Sequence, residues 1–329
     1  MIEILSQTAL ATVQDLGRTG SLCFGVGTSG AMDDLALAAG NLLLDNDEAD
    51  AAIEVQVFPF VVLFREPCAF VVTGADCAAT LDDRPIRPWW CCQAGAGQIL
   101  RLGLPAASAW PASRAYLCVA GGIDVPVVLG SRSTQLRGAF GGHEGRTLRQ
   151  HDALAIGAPG DGVRLVGFGV RPAAQVEPLL RDGSPAVRVM PAAEYGLYTS
   201  ESVAAFWGQP WKITPQSDRY GYRLAGPSLS MTTQVELRSH GIVPGVVQVP
   251  PGGQPIVQMR DAQPSGGYPK IGTVIAADLW RLGQAPIGSL IRFVRCDWEQ
   301  AIVAGARNRA YLDDVRRLTG LYRSQFGKG

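Results

Sequence analysis

Forty glycines and 22 prolines are spread through the chain, and between them the apolar residues fall into short runs of Val, Ile, Leu and Phe. Proline removes a backbone donor and glycine weakens a helix interior, so a chain interrupted this often is not built from long helices. Short β-branched and aromatic runs bounded by turn residues indicate many strands. In the first half the strand candidates are Ile2–Leu5, Ala11–Val13, Leu22–Val26, Ala52–Val57, Val61–Phe64, Cys68–Val72, Ala78–Leu81, Ile99–Leu102, Arg114–Val119, Leu154–Ile156 and Val163–Val166. In the second half they are Val187–Met190, Trp211–Thr214, Val246–Val249, Ile256–Met259, Thr273–Ile275 and Ser289–Val294.

Helical spacing is confined to three places. Leu35, Ala38, Ala39, Leu42 and Leu43 predict a helix over 31–44, with Ser29 as its cap and Asp33 and Asp34 in its first turn. A short helix is expected at 200–207 with Ser200 as cap, and one long helix from Asp297 to Phe326. The breaker-rich stretch from Arg171 to Pro185 reads as a linker, which gives three parts: a β-rich unit at 1–182, a β-barrel at 183–296 and a helical tail at 297–329. Asp15-Leu-Gly-Arg18 and Asp218-Arg-Tyr-Gly221 echo one another at the start of strands, as two similar barrels would.

Composition narrows the function. Lys+Arg and Asp+Glu are equal at 29 each, which gives no support to nucleic-acid or membrane-surface binding. No apolar run reaches the roughly 18 residues of a membrane span, and no signal peptide is expected. The seven cysteines are odd in number, lack a CxxC pair and lie mostly in apolar surroundings, so reduced thiols in a cytoplasmic protein are expected. His143, His151 and His240 are far apart, which argues against a histidine metal site.

The motif Gly25-Val-Gly-Thr-Ser-Gly30, with Glu54 further on, matches a dinucleotide fingerprint. The strand–helix alternation that this fold needs is missing from the following residues, so the reading fails. Ser29 misses a nucleophile elbow by one residue and has no histidine nearby in sequence, and no P-loop is present. The most polar loop is Asp261-Ala-Gln-Pro-Ser-Gly-Gly-Tyr-Pro-Lys-Ile271, where Gly266-Gly267 suits a tight left-handed turn stiffened by Pro264 and Pro269. An ordinary solvated hairpin is the other reading of that segment.

Several segments in one order carry a resemblance. They are Val13-Gln-Asp-Leu-Gly-Arg18, Ser29-Gly-Ala-Met-Asp33 with Asn41 and Glu54, Arg114-Ala-Tyr-Leu117, and Gly121-Gly-Ile-Asp-Val-Pro126. Leu129-Gly-Ser-Arg-Ser-Thr134, Gly141-Gly with Gly145-Arg146, Asp218-Arg219, Gly221-Tyr-Arg-Leu-Ala-Gly226, Gly245, Gln248-Val-Pro250 and Gly266-Gly-Tyr-Pro-Lys-Ile271 continue it. From about residue 2 to 294 the chain resembles the biotin-dependent carboxyltransferase family, which includes allophanate hydrolase subunit 2-like proteins, KipI antagonists and 5-oxoprolinase C subunits. The resemblance implies a mainly β fold of two cyclophilin-like β-barrel units with few helices and a C-terminal helix.

It implies one component of an ATP-dependent 5-oxoprolinase, which converts 5-oxo-L-proline to L-glutamate together with A and B subunits, the latter KipI-like. ATP is then expected at a shared subunit interface. Two other activities fit the same resemblance: carboxyl transfer from carboxybiotin to urea or another amide, and a non-catalytic antagonist of a KipI-like kinase inhibitor. The chain has no Met-Lys-Met, so biotin is not expected on it. Two departures stand out: the family's Asp-Arg-Gln-Thr-Thr is here Asp261-Ala-Gln-Pro-Ser265, and Tyr220 replaces a methionine. Arg260 is a candidate for the missing charge.

A small anionic lactam calls for charge stabilisers and donors to its carbonyl. Lys270 is the first candidate for the charge, with a solvated surface lysine as the plain alternative. Asp261 suits a general base, an orienter of Lys270, or a turn acid. Tyr268, a catalytic candidate with Lys270 and Asp261, and Gln263 suit donation to a carbonyl, and Gln248, ahead of Pro250-Pro251, is expected to face the same cavity as a substrate-binding residue. Arg132 and Arg146 suit a carboxylate held by two bonds. Ser29 and Asp33 are substrate-binding or capping residues, and Asn41 and Glu54, set among apolar residues, must be paired if buried and are either substrate-binding or structural. No metal ligand set is proposed.

Overall fold

The computed structural model describes residues 1–6, 10–106, 112–158, 166–233, 235 and 237–326. The expected strand Val163–Val166 falls largely on residues 163–165, outside the described residues. The chain divides into two compact units, the first formed by 1–18, 29–176 and 309–329, the second by 19–28 and 177–308. The change from first to second unit thus falls between Val176 and Glu177, a few residues ahead of the expected boundary. The helical tail is shared out between the units rather than standing as a part of its own.

In the first unit, seven strands form one sheet and five form another. One core lies between them, made of residues such as Ile2, Ile4, Phe60 and Phe64 from the first sheet and Val13, Ile53, Val55, Phe70 and Leu117 from the second. Strand Phe60–Phe64 shows the alternating burial of a sheet with one face inward, whereas Cys68–Gly74 and Ala115–Val119 are buried on both faces. Helix α1, Asp34–Leu43, covers their second face: the Thr73 hydroxyl donates to the Ala36 carbonyl at 2.7 Å. The cap of α1 is Asp33, whose carboxylate accepts from the Ala36 amide at 2.9 Å, not the expected Ser29. Ser29 sits ahead of the helix with φ +52.

The second unit is an eight-stranded sheet in which Ser184–Pro191 also pairs in parallel with Leu290–Arg295, closing all but the short strand Leu180–Arg181 into a barrel. Alternation places Trp211, Ile213, Tyr222, Leu224, Ile291 and Phe293 inside. After α2 (Ala173–Val176, in the first unit), helix α3 (Ser200–Gly208) brings Phe206 to 4.7 Å from the Phe293 ring. Thr199 caps α3 in place of the expected Ser200. Leu22–Phe24, expected as a strand, is a 3-10 turn between Gly20 and Gly25, both in left-handed conformation. Helix α4 (Leu279–Gln284) lacked a visible signal because it is buried all round. The long helix α5 runs Trp298–Phe326, as expected. The fold is mainly β, with few helices and a C-terminal helix.

Candidate functional site

The polar loop does enter a cavity. In the second unit a cavity of about 1030 Å³ is walled by Gln248 to Pro251, Gln263, Ser265 to Pro269, Ser228 to Met231, Leu237, Ser239 and Tyr198, among others. Gln248, Gln263 and Tyr268, proposed from sequence, are therefore brought together. Gln248 is almost fully buried and accepts from the Gln258 side-chain amide at 2.9 Å, which holds its carboxamide in place. Among the described residues the buried Gln263 Oε1 and Tyr198 hydroxyl have no hydrogen-bond partner. Burial, with the charge of Glu194 adding to it, pushes the Tyr198 phenol up, so it remains a donor.

The two glycines act differently from expectation. Neither Gly266 nor Gly267 has a positive φ; Ser265–Gly266 is a strand paired with His240–Gly241. A Cβ on Gly266 would lie 2.7 Å from the Gln248 Nε2, and one on Gly267 would lie 2.9 Å from the Leu237 carbonyl oxygen. Gly267 needs glycine for close approach to backbone, whereas a Cβ at Gly266 would press on the ends of the Gln248 and Ile242 side chains and so move the Gln248 carboxamide in the cavity wall.

Lys270 begins the next strand and is paired with Gln248. It is buried rather than solvated, and its Nζ lies 3.0 Å from Glu194 Oε2 and 2.6 Å from His240 Nε2. Asp261 does not orient it. The Asp261 carboxylate is buried and takes two bonds from Arg219, Nε at 2.9 Å and Nη2 at 3.0 Å. Asp261 is thus a clamp between the Asp218 turn and the polar loop. Glu194, His240 and Tyr198 escaped the sequence reading: Glu194 is separated from Lys270 by 76 positions, and the antiparallel pairing of Ser184–Pro191 with Lys270–Val274 brings them together, while the pairing of His240–Gly241 with Ser265–Gly266 brings in His240.

The remaining candidates belong to the first unit. Glu54 accepts from the Met32 amide and from the Tyr116 hydroxyl, each at 2.8 Å, while that hydroxyl accepts from the Asp33 amide at 2.7 Å. This buried chain fixes the segment leading into α1. Ser29, earlier in that segment, is fully buried, and among the described residues its hydroxyl has no hydrogen-bond partner. Asn41 donates to the Asp50 carbonyl at 2.7 Å and accepts from Asn46 at 3.1 Å, which ties the end of α1 to the following loop. Arg146 is held by two bonds to Asp152, at 2.7 and 3.0 Å, and Arg132 pairs with Asp124 and the Val125 carbonyl. Asp15 accepts from Gly17, Ser131, Ser133 and the Arg132 amide, joining two of the sequence segments that carried the resemblance.

Chemically, the cavity wall offers amides, hydroxyls and apolar surface. None of its described residues is charged, so it suits a neutral amide group and does not fit a triphosphate. Among the described residues no cluster of three or more His, Cys, Asp or Glu could hold a metal ion.

The comparisons agree with this architecture. A Haemophilus influenzae protein described as the C subunit of 5-oxoprolinase is 42% identical over 318 residues, covering 97% of this chain and 98% of that one. The Escherichia coli protein of the same description is 42% identical over 321 residues, covering 96% and 97%. The Kluyveromyces lactis urea carboxylase structure superposes with a TM-score of 0.86 at 27% identity; the match covers 95% of this chain and 29% of that one. The family described as "Carboxyltransferase domain, subdomain A and B" matches residues 24–295, and the chain belongs to it.

Proposed function

We propose that this chain is the C subunit of a 5-oxoprolinase that works with ATP, and that it turns over 5-oxoproline only when joined to the A and B subunits. The observation that carries the reading is the 42% identity, over nearly the whole of both chains, to two proteins described as 5-oxoprolinase C subunits. The cavity supports it. The lactam group of 5-oxoproline is neutral and flat, and the amide and hydroxyl groups of the wall suit its C=O and N–H edge, while its carboxylate needs a cation from outside the wall's described residues. Lys270, beside the wall, stabilises charge that develops as the lactam is activated. ATP is held with the partner proteins and not by this cavity alone. The protein works in the cytoplasm with its seven cysteines, none of them in a disulfide, as thiols. Among the described residues no helix is long and apolar enough to cross a membrane.

The test is reconstitution. The chain purified with the A and B subunits is expected to release glutamate from 5-oxoproline in an ATP-dependent manner, and each pair of the three proteins to release none. A well-folded complex of all three without turnover would remove the reading. The likeness to urea carboxylase supports a second reading, carboxyl transfer to an amide. Biotin-dependent carboxylation of urea by the same complex, without glutamate release, would select it.

A further inference from the structure

We propose that His240 and Glu194 are positioning residues that hold the Lys270 ammonium beside the cavity; this rests on the reading of Lys270 as the charge-stabilising group. Three segments meet there. Lys270 follows the wall residue Pro269, His240 follows the wall residue Ser239, and Glu194 opens the 3-10 turn Tyr195–Leu197 that leads to the wall residue Tyr198. Glu194 Oε2 lies 3.0 Å from the Lys270 Nζ and also accepts from the Lys270 backbone amide at 3.2 Å, so one carboxylate oxygen fixes both ends of the residue.

The histidine supplies a second acceptor. Its Nδ1 lies 3.0 Å from the Arg238 carbonyl, which only accepts, so Nδ1 carries the proton. The other nitrogen, Nε2, then offers its lone pair to the Lys270 ammonium 2.6 Å away. An ammonium has three N–H donors. Two are taken by Glu194 and His240, and among the described residues the third has no partner. A lysine side chain is otherwise a flexible stem that loses rotamer freedom when it meets a ligand. With two acceptors set on different segments, that ordering is complete before substrate arrives, and the third N–H is directed by the other two. His240 itself is exposed, so core packing does not account for its place.

Two measurements test this. In the full chain with ¹⁵N-labelled histidine, His240 is expected as the Nδ1–H tautomer, and Lys270→Met is expected to shift its Nε2 resonance while leaving those of His143 and His151 unmoved. In the complex of all three proteins, His240→Ala is expected to lower kcat about tenfold with KM changed less than twofold. His240→Gln, which keeps an acceptor, is expected to recover most of that loss, and Glu194→Gln to lower kcat in the same direction. An Nε2 resonance indifferent to Lys270→Met, or His240→Ala with wild-type kcat, overturns the positioning role. Full turnover by Lys270→Met overturns the underlying reading of Lys270, a result that the resonance does not depend on.

Discussion

Asp261 shows how one residue type in one place serves two incompatible readings until its neighbours are known. A general base needs an oxygen free to take a proton, whereas both Asp261 oxygens are held by Arg219 with each side chain only 5–6% exposed. Breaking a buried ion pair from one side costs about 3 kcal/mol or more. Asp261→Asn is therefore expected to lower stability by about 3 kcal/mol, measured by urea denaturation, and to lower turnover only in proportion to the folded fraction. Undiminished stability with abolished turnover would restore the general base. Gly267 makes the matching point for the backbone. A Cβ there meets the Leu237 carbonyl oxygen at 2.9 Å, and backbone yields less readily than a side chain. Gly267→Ala is expected to cost about 1–3 kcal/mol, as overpacking does, and to be visible as a lowered melting temperature.

Among the elements, α5 is polar along much of its length and is held by ion pairs as well as by Ala304, Leu312 and Val315. Within the first unit Glu48 takes bonds from Arg309, at 3.0 Å from Nη1, and from Arg316. The hydrogen bond from Arg309 is the main cause that holds the Glu48 carboxyl below its ordinary 4.5. A carboxyl with a lowered folded pKa contributes stability above its unfolded pKa and loses it as pH falls through the folded value. Both arginines are about half exposed, so screening limits the pair to about 1 kcal/mol. Glu48→Gln is expected to speed hydrogen exchange in α5 beyond Arg309 at pH 7 and to make no difference once the pH is well below 4.5. Long elements such as α5 and α1, and the alternating strands, were legible because their period is local. The caps were misread by position: Asp33 and Thr199 won over Ser29 and Ser200 because the backbone turns where the side chain can reach back to the amide. Asp15 and Asp218 each accept from an amide two residues on, so the echo between the two halves is a shared turn chemistry. The site was half legible. The polar loop pointed to Gln248, Gln263, Tyr268 and Lys270, but nothing local announces Glu194 or His240, which long-range strand pairing supplies.

At the scale of the whole molecule the charge balance and the cavity bear on the same question. Lys+Arg and Asp+Glu cancel at 29 each, so no general positive field draws a nucleotide in. The cavity wall has no charged member among its described residues, and the adjoining Lys270 is already paired with Glu194. A triphosphate in water is strongly solvated, and moving it against amides and apolar side chains without cations to replace that solvation is unfavourable. The chain alone is accordingly expected to show no ATP binding by equilibrium dialysis at concentrations up to about a millimolar, the level at which a binding free energy falls to about 4 kcal/mol. A neutral lactam such as 2-pyrrolidinone makes no such demand, and it is expected to shift the side-chain amide resonances of Gln248 and Gln263 in the same preparation. Micromolar ATP binding by the isolated chain would place the nucleotide on this protein after all. Lactam-induced shifts that spare both glutamines would move the substrate to another surface.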